Sequence, residues 1–424
     1  MGARDGVKER GGVVDLTIFP RRLQGTLKIP SSKSAGHRMV IAAALSGGGK
    51  VENLTVSADI QATLEGMKAL GADYRLDENT ALFYSRRDIQ EQSVIIDCNE
   101  SGSTLRFLIP VAVALCPQKT LIFKGRGRLL DRPLEPYFAL FDEMGIQYQK
   151  GQDGLMVQGI LKSGECRLSG KISSQFITGL LFALPLLPGD SKIVITDKLE
   201  SKGYVDMTLE ALTVFGIEVE NRDYQEFIIP GSQSYFSKDT IVEGDYSQAA
   251  FFYAANFIGS DVVLERLNPN SSQGDRAVEA ILTDFAGQDN CELDVSDIPD
   301  LVPALAAAAA YRAGKVTRFV NASRLRIKES DRITSTCSML RALGAQAEEG
   351  KDSITVLGQQ TLPGTGEGSL NCCNDHRIAM AAAAAAVGCT GKVRLLGAEC
   401  VSKSYPAFWD DYRRLGGEVK EDGR

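Results

Sequence analysis

Six stretches of the chain are apolar almost all the way round a helical wheel, and they recur from one end of the sequence to the other. They are residues 34–45, 101–115, 173–187, 247–258, 300–311 and 375–387. A helix that has no polar face is stable only where other parts of the protein surround it. The pattern therefore predicts six internal helices.

A second pattern alternates with the first: a helix-like segment ends in glycine, and a strand-like stretch follows it. Glycine at this position supplies the left-handed residue that closes a helix. The intervals between copies are roughly 70 residues, longer than those of helical solenoids, and one interval is shorter, roughly 57. The pattern predicts six copies of a small αβ unit, each with one buried helix, one exposed helix and several strands. The closing glycines are Gly71, Gly145, Gly216, Gly287, Gly344 and Gly416.

The polar residues of the six buried stretches collect at their N-termini. Ser, Asn and Asp at these positions commonly cap helices. Capping does not explain Lys33, Arg38, Arg106 and Arg377, because a cation near a helix N-terminus opposes the helix dipole. The placement is favourable when an anion binds there, since the N–H groups of the first turn are free. The sequence thus predicts that several helix N-termini converge on a multiply charged small molecule.

The stretch "RIKESDR" (326–332) carries five ionisable groups within seven residues. Leu325 and Ile327 alternate with the first charges, which predicts a short strand that turns into a helix after Ser330. Such a cluster is often only a solvated surface turn. Its position between a strand and a helix also suits a functional site.

Composition limits the classes of function. The chain has 424 residues, of which 44% are hydrophobic, enough for two or more cores. The net charge of −7 argues against general binding to nucleic acid. Nine cysteines without a CxxC pair, and only two histidines, predict free thiols in a reducing cytoplasm and no zinc site. The polar first ten residues and the short apolar runs predict neither a signal peptide nor a membrane span.

Nine motifs, spread from about residue 29 to about residue 416, resemble those of the 5-enolpyruvylshikimate-3-phosphate synthase family of enolpyruvyl transferases. They are "PSSKSAGHR" (30–38), "NESGSTLRF" (99–107), "GRGRLLDRP" (125–133), "SSQF" (173–176), "SKGYVDMTL" (201–209), "IPD" (298–300), "RIKESDR" (326–332), "NDHR" (374–377) and "SKSYP" (402–406).

The resemblance implies an α/β fold of two similar domains, each built from three repeated αβ units. Helices lie inside and sheets outside, as in an inside-out α/β barrel, and the active-site cleft lies between the domains. One domain is expected to comprise residues 1–30 plus 243–424 and the other residues 31–242. The chain is expected to cross between them near 28–33 and again near 240–248.

The resemblance also implies the reaction. The enolpyruvyl group of phosphoenolpyruvate is transferred to the 5-hydroxyl of shikimate 3-phosphate, and phosphate is released by addition and elimination through a tetrahedral intermediate. This is a step of aromatic amino acid biosynthesis, and the enzyme is the target of glyphosate. The family needs no metal or organic cofactor. The implied partners are the two small substrates, without nucleic acid or membrane, and a monomer is expected.

Residue roles are carried over from the matching motif positions. Catalysis is assigned to Asp300, Glu329 and Lys33, with Asp300 as the base on the 5-hydroxyl and Glu329 as the acid–base group at the methylene carbon. The implied shikimate 3-phosphate ligands are Lys33, Ser34, Arg38, Ser173, Ser174, Gln175, Ser201, Asp300 and Lys328. The implied phosphoenolpyruvate ligands are Lys33, Gly102, Arg128, Gln175, Arg332, Arg377 and Lys403.

The motif "NESGSTLRF" departs from the family, because it has one more residue between its Asn and its Gly than the commoner form. Ser103 also stands where Thr is usual. Asn99 is therefore left without a role. Arg324 is also left without one, because it stands where many relatives have a smaller polar residue that can contact the phosphate of shikimate 3-phosphate, and His376 is expected near the site in a supporting role. Arg106 fits an internal ion pair as well as it fits a ligand.

Three alternatives stay open at the level of sequence. A UDP-N-acetylglucosamine enolpyruvyl transferase shares the donor, but it pairs its first lysine with Asn and uses a loop cysteine, whereas Ser34 follows Lys33 and "GRGRLLDRP" has no cysteine. A small-molecule kinase would need a Gly-Leu-Gly core that "PSSKSAGHR" lacks. A non-catalytic anion-binding relative would have lost Glu329 or Asp300, and both are present.

Overall fold

The computed structural model describes residues 14–152 and 154–422. In these ranges twelve α-helices form, and the six predicted internal helices are confirmed as α1, α3, α5, α7, α9 and α11, which are buried along most of their length. The helices are α1 (Lys33–Ser46), α2 (Ala58–Ala69), α3 (Gly102–Leu115), α4 (Glu135–Met144), α5 (Ser174–Ala183), α6 (Lys202–Val214), α7 (Tyr246–Ile258), α8 (Val278–Gly287), α9 (Val302–Ala309), α10 (Arg332–Ala342), α11 (His376–Ala386) and α12 (Phe408–Arg414).

The same residues form 22 strands in six sheets. The strands are β1 (Leu16–Phe19), β2 (Gln24–Lys28), β3 (Gly49–Glu52), β4 (Ala72–Asp77), β5 (Thr80–Arg86), β6 (Ser93–Asp97), β7 (Thr120–Lys124), β8 (Gln147–Gly151), β9 (Gly154–Gln158), β10 (Glu165–Leu168), β11 (Ser191–Ile195), β12 (Glu220–Arg222), β13 (Glu226–Ile229), β14 (Thr240–Ile241), β15 (Asp261–Glu265), β16 (Cys291–Asp294), β17 (Val316–Val320), β18 (Gln346–Glu349), β19 (Ile354–Leu357), β20 (Leu370–Asn371), β21 (Val393–Leu396) and β22 (Glu418–Glu421).

Five of the six sheets in the described residues have the same four-stranded topology. In the sheet β6-β7-β9-β8, for example, β6 runs parallel to β7, and β9 and β8 add an antiparallel hairpin. The buried helix α3 connects the two parallel strands, and the exposed helix α4 leads into the hairpin. Five of the six predicted αβ units are thus confirmed, each with a four-stranded sheet outside a buried helix.

The sixth unit is shorter, and one prediction fails there. Its sheet contains only β2 and β15, in parallel. After α8 ends at Gly287, the next strand, β16, pairs in parallel with β17 and belongs to the following unit. The prediction of a closing glycine and a strand of the same unit at Gly287 was therefore wrong. The missing hairpin accounts for the short interval between Gly287 and Gly344, and the other five glycines all have left-handed φ angles of 71 to 93°.

Two strands are exchanged between the halves of the chain. β2 precedes α1 but pairs with β15, whereas β14 precedes α7 but pairs with β3. The two connecting segments run side by side, since Ser32 N donates to Glu243 O at 2.7 Å and Asp245 N donates to Pro30 O at 3.0 Å. The buried hydrophobic residues accordingly form one cluster within residues 35–242 and another within 16–29 plus 246–415.

We call these two parts the continuous half (residues 31–242) and the discontinuous half (residues 14–30 plus 243–422). The predicted domain boundaries themselves stay a prediction. Residues 1–13 and 423–424 of the predicted first domain lie outside the described residues.

The strand predicted at the start of "RIKESDR" is absent: residues Ser323–Ile327 form a 3₁₀ helix instead. Arg324 and Leu325 are both buried although they are adjacent, so the alternation read from Leu325 and Ile327 does not correspond to two faces of a strand. The predicted helix is confirmed as α10, with Asp331 as its N-cap accepting from Thr334 N. Within the described ranges, no helix combines the length and the apolar character needed to cross a bilayer.

Candidate active site

A cavity lies where the N-termini of the buried helices meet, and both halves line it. Seven cationic side chains but only three carboxylates line its wall among the described residues. This excess of positive charge matches the expectation that an anionic small molecule binds there. The predicted site residues on its wall are Lys33, Ser34, Arg38, Ser173, Ser174, Gln175, Asp300, Lys328, Glu329 and Arg377.

Serine and aspartate side chains fix the helix ends that face this cavity. Five of the buried helices have an N-cap side chain that accepts a hydrogen bond from a backbone N–H of the first turn. The N-caps are Ser32 for α1, Ser101 for α3, Ser173 for α5, Asp245 for α7 and Asp375 for α11. These residues therefore do cap helices, as their types suggest. A short 3₁₀ helix, Pro299–Leu301, precedes α9 and carries Asp300, whose carboxylate is left for other partners.

Asp300 accepts hydrogen bonds from four side chains. Arg332 Nη1 donates to it at 2.8 Å, Lys328 Nζ at 3.2 Å, Arg377 Nη2 at 3.0 Å and the Tyr204 hydroxyl at 2.9 Å. Burial alone would raise the pKa of Asp300, but the three cations outweigh burial and hold its pKa well below the usual range. In the free protein this carboxylate is ionised.

Arg332 is 1% exposed and lies behind the cavity wall, at the centre of an ion-pair network. Its guanidinium donates to Asp300, to Glu329 Oε2 at 2.6 Å and to Asp375 Oδ2 at 2.8 Å. A substrate anion would therefore reach this predicted ligand only by replacing one of these carboxylates. Asp375 thus orients both Arg332 and the first turn of α11.

Glu329 lies between Arg332 and Arg132, whose Nη2 is 3.7 Å from Glu329 Oε1. Burial favours the neutral acid, but the two arginines outweigh burial and hold the pKa of Glu329 well below its usual range. The pKa of Lys328 is lowered, first by burial, although Asp300 opposes the change. Burial also lowers the pKa of His376 to about 3, with Lys33 contributing, so this imidazole is neutral.

In the continuous half, neutral oxygens hold two of the four cations that line the cavity, Arg38 and Arg106. Arg38 donates to Thr208 Oγ1 at 2.8 Å and to the carbonyls of Ser34 and Tyr204. Arg106 donates to Gln175 Oε1 at 2.7 Å and to a backbone carbonyl, so it is neither free nor ion-paired. The other two face carboxylates: the Lys33 ammonium pairs with Asp59 at 2.7 Å, and Arg132 lies 3.7 Å from Glu329.

Arg132, rather than the predicted Arg128, reaches the cavity. Arg128 is exposed at the start of the 3₁₀ helix Leu129–Asp131, which carries the chain back into the core at Leu129. Arg132 follows this helix, is buried, and lies so close to Gly102 that a Cβ atom there would be 2.6 Å from its Nη1. The role of Arg128 as a phosphoenolpyruvate ligand stays a prediction, and Arg132 is a cavity residue that the sequence did not indicate.

Three further predicted residues lie near the cavity but not on its wall. Gly102 lies beside Arg132, as described above. Ser201 is buried, adopts a left-handed φ of 57°, and accepts a hydrogen bond from Arg324 at 2.7 Å. Lys403 pairs with Glu100 at 2.6 Å and also donates to the Asn374 carbonyl at 2.9 Å.

Besides Arg132, four groups on or behind the wall were not predicted as site residues: Tyr204, Asp245, Arg324 and Asp375. Tyr204 lies inside the motif "SKGYVDMTL", and Asp375 lies inside "NDHR", so their motif membership was the available signal. Asp245 accepts the backbone N–H of Lys33 at 2.9 Å and so joins the two halves at the cavity. No sequence pattern indicated that contact.

Some cationic and imidazole nitrogens at the cavity lack a partner. Arg132 Nε, Arg377 Nε and both ring nitrogens of His376 are buried and make no hydrogen bond within the described residues. Buried donors of this kind are costly unless another group satisfies them, and a bound anion would do so. In the same ranges, no group of three or more His, Cys, Asp or Glu side chains is placed to hold a metal ion.

Comparisons with known proteins agree with this geometry. The model of the family described as EPSP synthase (3-phosphoshikimate 1-carboxyvinyltransferase) matches residues 19–412. The 3-phosphoshikimate 1-carboxyvinyltransferase of Clostridium beijerinckii is 46% identical, with 96% of this chain and 98% of that protein covered. The enzyme of the same name from Clostridium acetobutylicum is 45% identical, with 95% and 98% covered.

Solved structures share the fold. An EPSP synthase from Acinetobacter baumannii superimposes with a TM-score of 0.77 at 24% identity, covering 97% of this chain and 100% of that one. The enolpyruvyl transferase NikO from Streptomyces tendae superimposes with a TM-score of 0.75 at 18% identity, covering 97% and 99%. The expected inside-out α/β fold of two similar domains is confirmed.

Proposed function

The chain belongs to the EPSP synthase (3-phosphoshikimate 1-carboxyvinyltransferase) family, and on that premise we propose that the cavity described above is the site of its reaction. The chain is an enolpyruvyl transferase of the shikimate pathway. The proposed reaction moves the enolpyruvyl group of phosphoenolpyruvate to the 5-hydroxyl of shikimate 3-phosphate and releases phosphate. One observation carries the placement: seven cationic side chains face three carboxylates in a cavity that both halves line.

Both substrates carry a phosphate and a carboxylate, so they need this excess of positive charge. We assign shikimate 3-phosphate to the hydroxyl-rich wall of the continuous half, together with the groups that surround Asp300. Its proposed ligands are Lys33, Ser34, Arg38, Ser173, Ser174, Gln175, Ser201, Asp300 and Lys328. Ser201 would act through its contact with Arg324 or after a shift, because it lies off the cavity wall.

We assign phosphoenolpyruvate to the neighbouring end of the cavity. Its proposed ligands are Lys33, Gly102, Arg128, Gln175, Arg332, Arg377 and Lys403, and Arg132 is proposed as a further ligand because it lines the cavity. The absence of a side chain at Gly102 leaves room for the guanidinium of Arg132, which a methyl group would displace. The unpartnered Nε atoms of Arg132 and Arg377 are donors that the anion would satisfy.

The proton transfers follow from the charges around the two carboxylates. Asp300 accepts the proton of the 5-hydroxyl as the oxygen attacks the donor, and Glu329 protonates the methylene carbon to give the tetrahedral intermediate. Glu329 then takes a proton back from the same carbon as phosphate leaves. Arginines lower the pKa of Glu329 in the free protein, so we propose that bound substrate anions offset this field and let the carboxylate become protonated.

The coarser organisation supports further proposals. The two hydrophobic clusters and the paired connections at Ser32 and Asp245 support domains of residues 1–30 plus 243–424 and 31–242, with a cleft between them that closes on the substrates.

The nine cysteines are all free thiols, which supports a cytoplasmic location. We propose a monomer without a nucleic-acid partner, in keeping with the negative net charge.

A phosphate-release assay tests the reaction. The protein is mixed with phosphoenolpyruvate and shikimate 3-phosphate, and a parallel reaction contains UDP-N-acetylglucosamine as the rival acceptor. We expect phosphate release in the reaction that contains shikimate 3-phosphate and none in the reaction that contains UDP-N-acetylglucosamine. Release with the sugar nucleotide only, or with neither acceptor, would contradict the proposal.

A further inference from the structure

Glu100 lies in a tight turn between β6 and α3 and reaches across to the discontinuous half. The turn is closed by the Ser101 N–H, which donates to the Cys98 carbonyl at 2.9 Å, and Asn99 in it has a left-handed φ of 50°. This turn contains the extra residue by which "NESGSTLRF" departs from the family's commoner motif. The turn directs the Glu100 carboxylate away from its own half.

Three segments surround that carboxylate. Its Oε2 is 2.6 Å from Lys403 Nζ and accepts from Asn374 Nδ2 at 3.1 Å. Gly127 closes the third side, since a Cβ atom there would be 2.9 Å from Glu100 Oε2. Glu100 is 29% exposed and Lys403 is 13% exposed, so this ion pair is partly sheltered from water. Its position is therefore defined by contacts on three sides.

The pairing leaves Lys403 with little capacity for another anion. Two of its three N–H donors face Glu100 and the Asn374 carbonyl. Any anion that approaches this ammonium must share it with a carboxylate and must also lie close to a second negative charge. A lysine held in this way binds a phosphate or carboxylate oxygen less tightly than a free lysine does.

We propose that Glu100 sets the affinity of the phosphoenolpyruvate end of the site by competing with the donor substrate, and with product phosphate, for Lys403. This inference rests on the proposed function, which places phosphoenolpyruvate at Lys403. Competition limits how firmly this end of the cavity holds any anion, so that inorganic phosphate leaves after each turnover. Glu100 is thus a specificity-determining residue that acts through Lys403.

The test uses Glu100→Gln, which keeps the shape of the side chain and removes its charge. We expect KM for phosphoenolpyruvate and the inhibition constant of inorganic phosphate both to fall by about two- to fivefold, the range expected for one partly exposed ion pair. The matched control is Glu292→Gln, which breaks the exposed pair of Glu292 with Arg318 on the outer strands β16 and β17 and should leave both constants unchanged. An unchanged or higher KM in Glu100→Gln would overturn the inference.

A second measurement separates this inference from the reaction itself. Inorganic phosphate is titrated against thermal unfolding of the wild type, Glu100→Gln, Lys403→Met and the double variant. Glu100→Gln should bind phosphate more tightly than the wild type does, and the substitution should have no effect once Lys403 is Met. An equal effect in both backgrounds overturns the role of Lys403. If the wild type releases no phosphate from phosphoenolpyruvate, the proposed function fails, whereas this titration still decides the competition at Lys403.

Discussion

The two halves of the molecule hold their cavity cations in different ways. In the discontinuous half, carboxylates pair with them: Asp300, Glu329 and Asp375 surround Arg332. In the continuous half, Arg38 and Arg106 donate mainly to hydroxyl, amide and carbonyl oxygens. A cation that faces neutral oxygens keeps its charge available to a ligand, whereas a paired cation tunes the carboxylate beside it. We infer that the continuous half mainly holds substrate and that the discontinuous half mainly moves protons.

Removing the carboxylate of Glu329 tests this division most strongly. Glu329→Gln should retain binding of shikimate 3-phosphate but lower kcat by about 10²- to 10⁴-fold, the usual contribution of a general acid–base group. Steady-state kinetics and calorimetric titration of shikimate 3-phosphate measure the two effects. Glu349→Gln, which alters an ion pair of Arg326, is the control. Wild-type turnover in Glu329→Gln would remove this residue from the mechanism.

Stability should also separate the halves. Asp375→Asn leaves fully buried Arg332 with one carboxylate fewer, and loss of one partner of a buried pair costs about 3–5 kcal/mol. Thr208→Val removes the neutral acceptor of Arg38, and loss of a buried hydrogen-bond partner costs about 1–3 kcal/mol. Urea unfolding of both variants measures the difference. Equal losses would show that the two kinds of partner stabilise the halves equally.

Asp275 provides a pH test within the discontinuous half. Burial first, and then the nearby Asp300 carboxylate, raise the pKa of Asp275 to about 7, although Arg377 and the Ser247 hydroxyl oppose the shift. The folded state therefore keeps this proton above the pH at which an unfolded Asp loses it, and the contribution of Asp275 to stability declines as pH rises from about 4 to about 7.

Asp275→Asn has no such proton to lose. The free energy of unfolding of the variant, relative to wild type, should thus increase by roughly 4 kcal/mol across that range, because a shift of one pKa unit corresponds to about 1.4 kcal/mol. Urea unfolding at several pH values checks this, and a difference that is independent of pH would contradict the assignment.

The smallest expected effect concerns the contact between Gly102 and Arg132. A methyl group at position 102 must displace the guanidinium, which is the flexible end of its side chain. Gly102→Ala should therefore fold normally, raise KM for phosphoenolpyruvate by roughly two- to tenfold and raise the tolerance to glyphosate. Inhibition assays measure both constants. Unchanged glyphosate inhibition would show that Gly102 does not line the donor end.

The spacing and the residue types of the repeated segments were enough to predict the repeat, because buried helices are apolar on all sides and the helices of the repeat end at glycine. Gly287 shows the limit, because a glycine at a helix end looks the same whether or not a hairpin follows it. The short interval after it was visible in the sequence, but only the pairing of β16 with β17 explains it. Arg128 and Arg132 show a second limit. Both lie in one basic loop, and the packing of Leu129 determines which of them turns inward.

Strand β1 lies between β21 and β22, so residues from the beginning of the chain complete a sheet that is otherwise made of its last residues. On the ribosome, β1 emerges before the other strands, but its partner β21 is complete only at Leu396 and its partner β22 only at Glu421. The continuous half needs nothing beyond β14 and can assemble much earlier, as domains generally do during synthesis. The order of translation therefore makes the wall that carries Arg38 and Arg106 before the wall that carries Asp300 and Glu329.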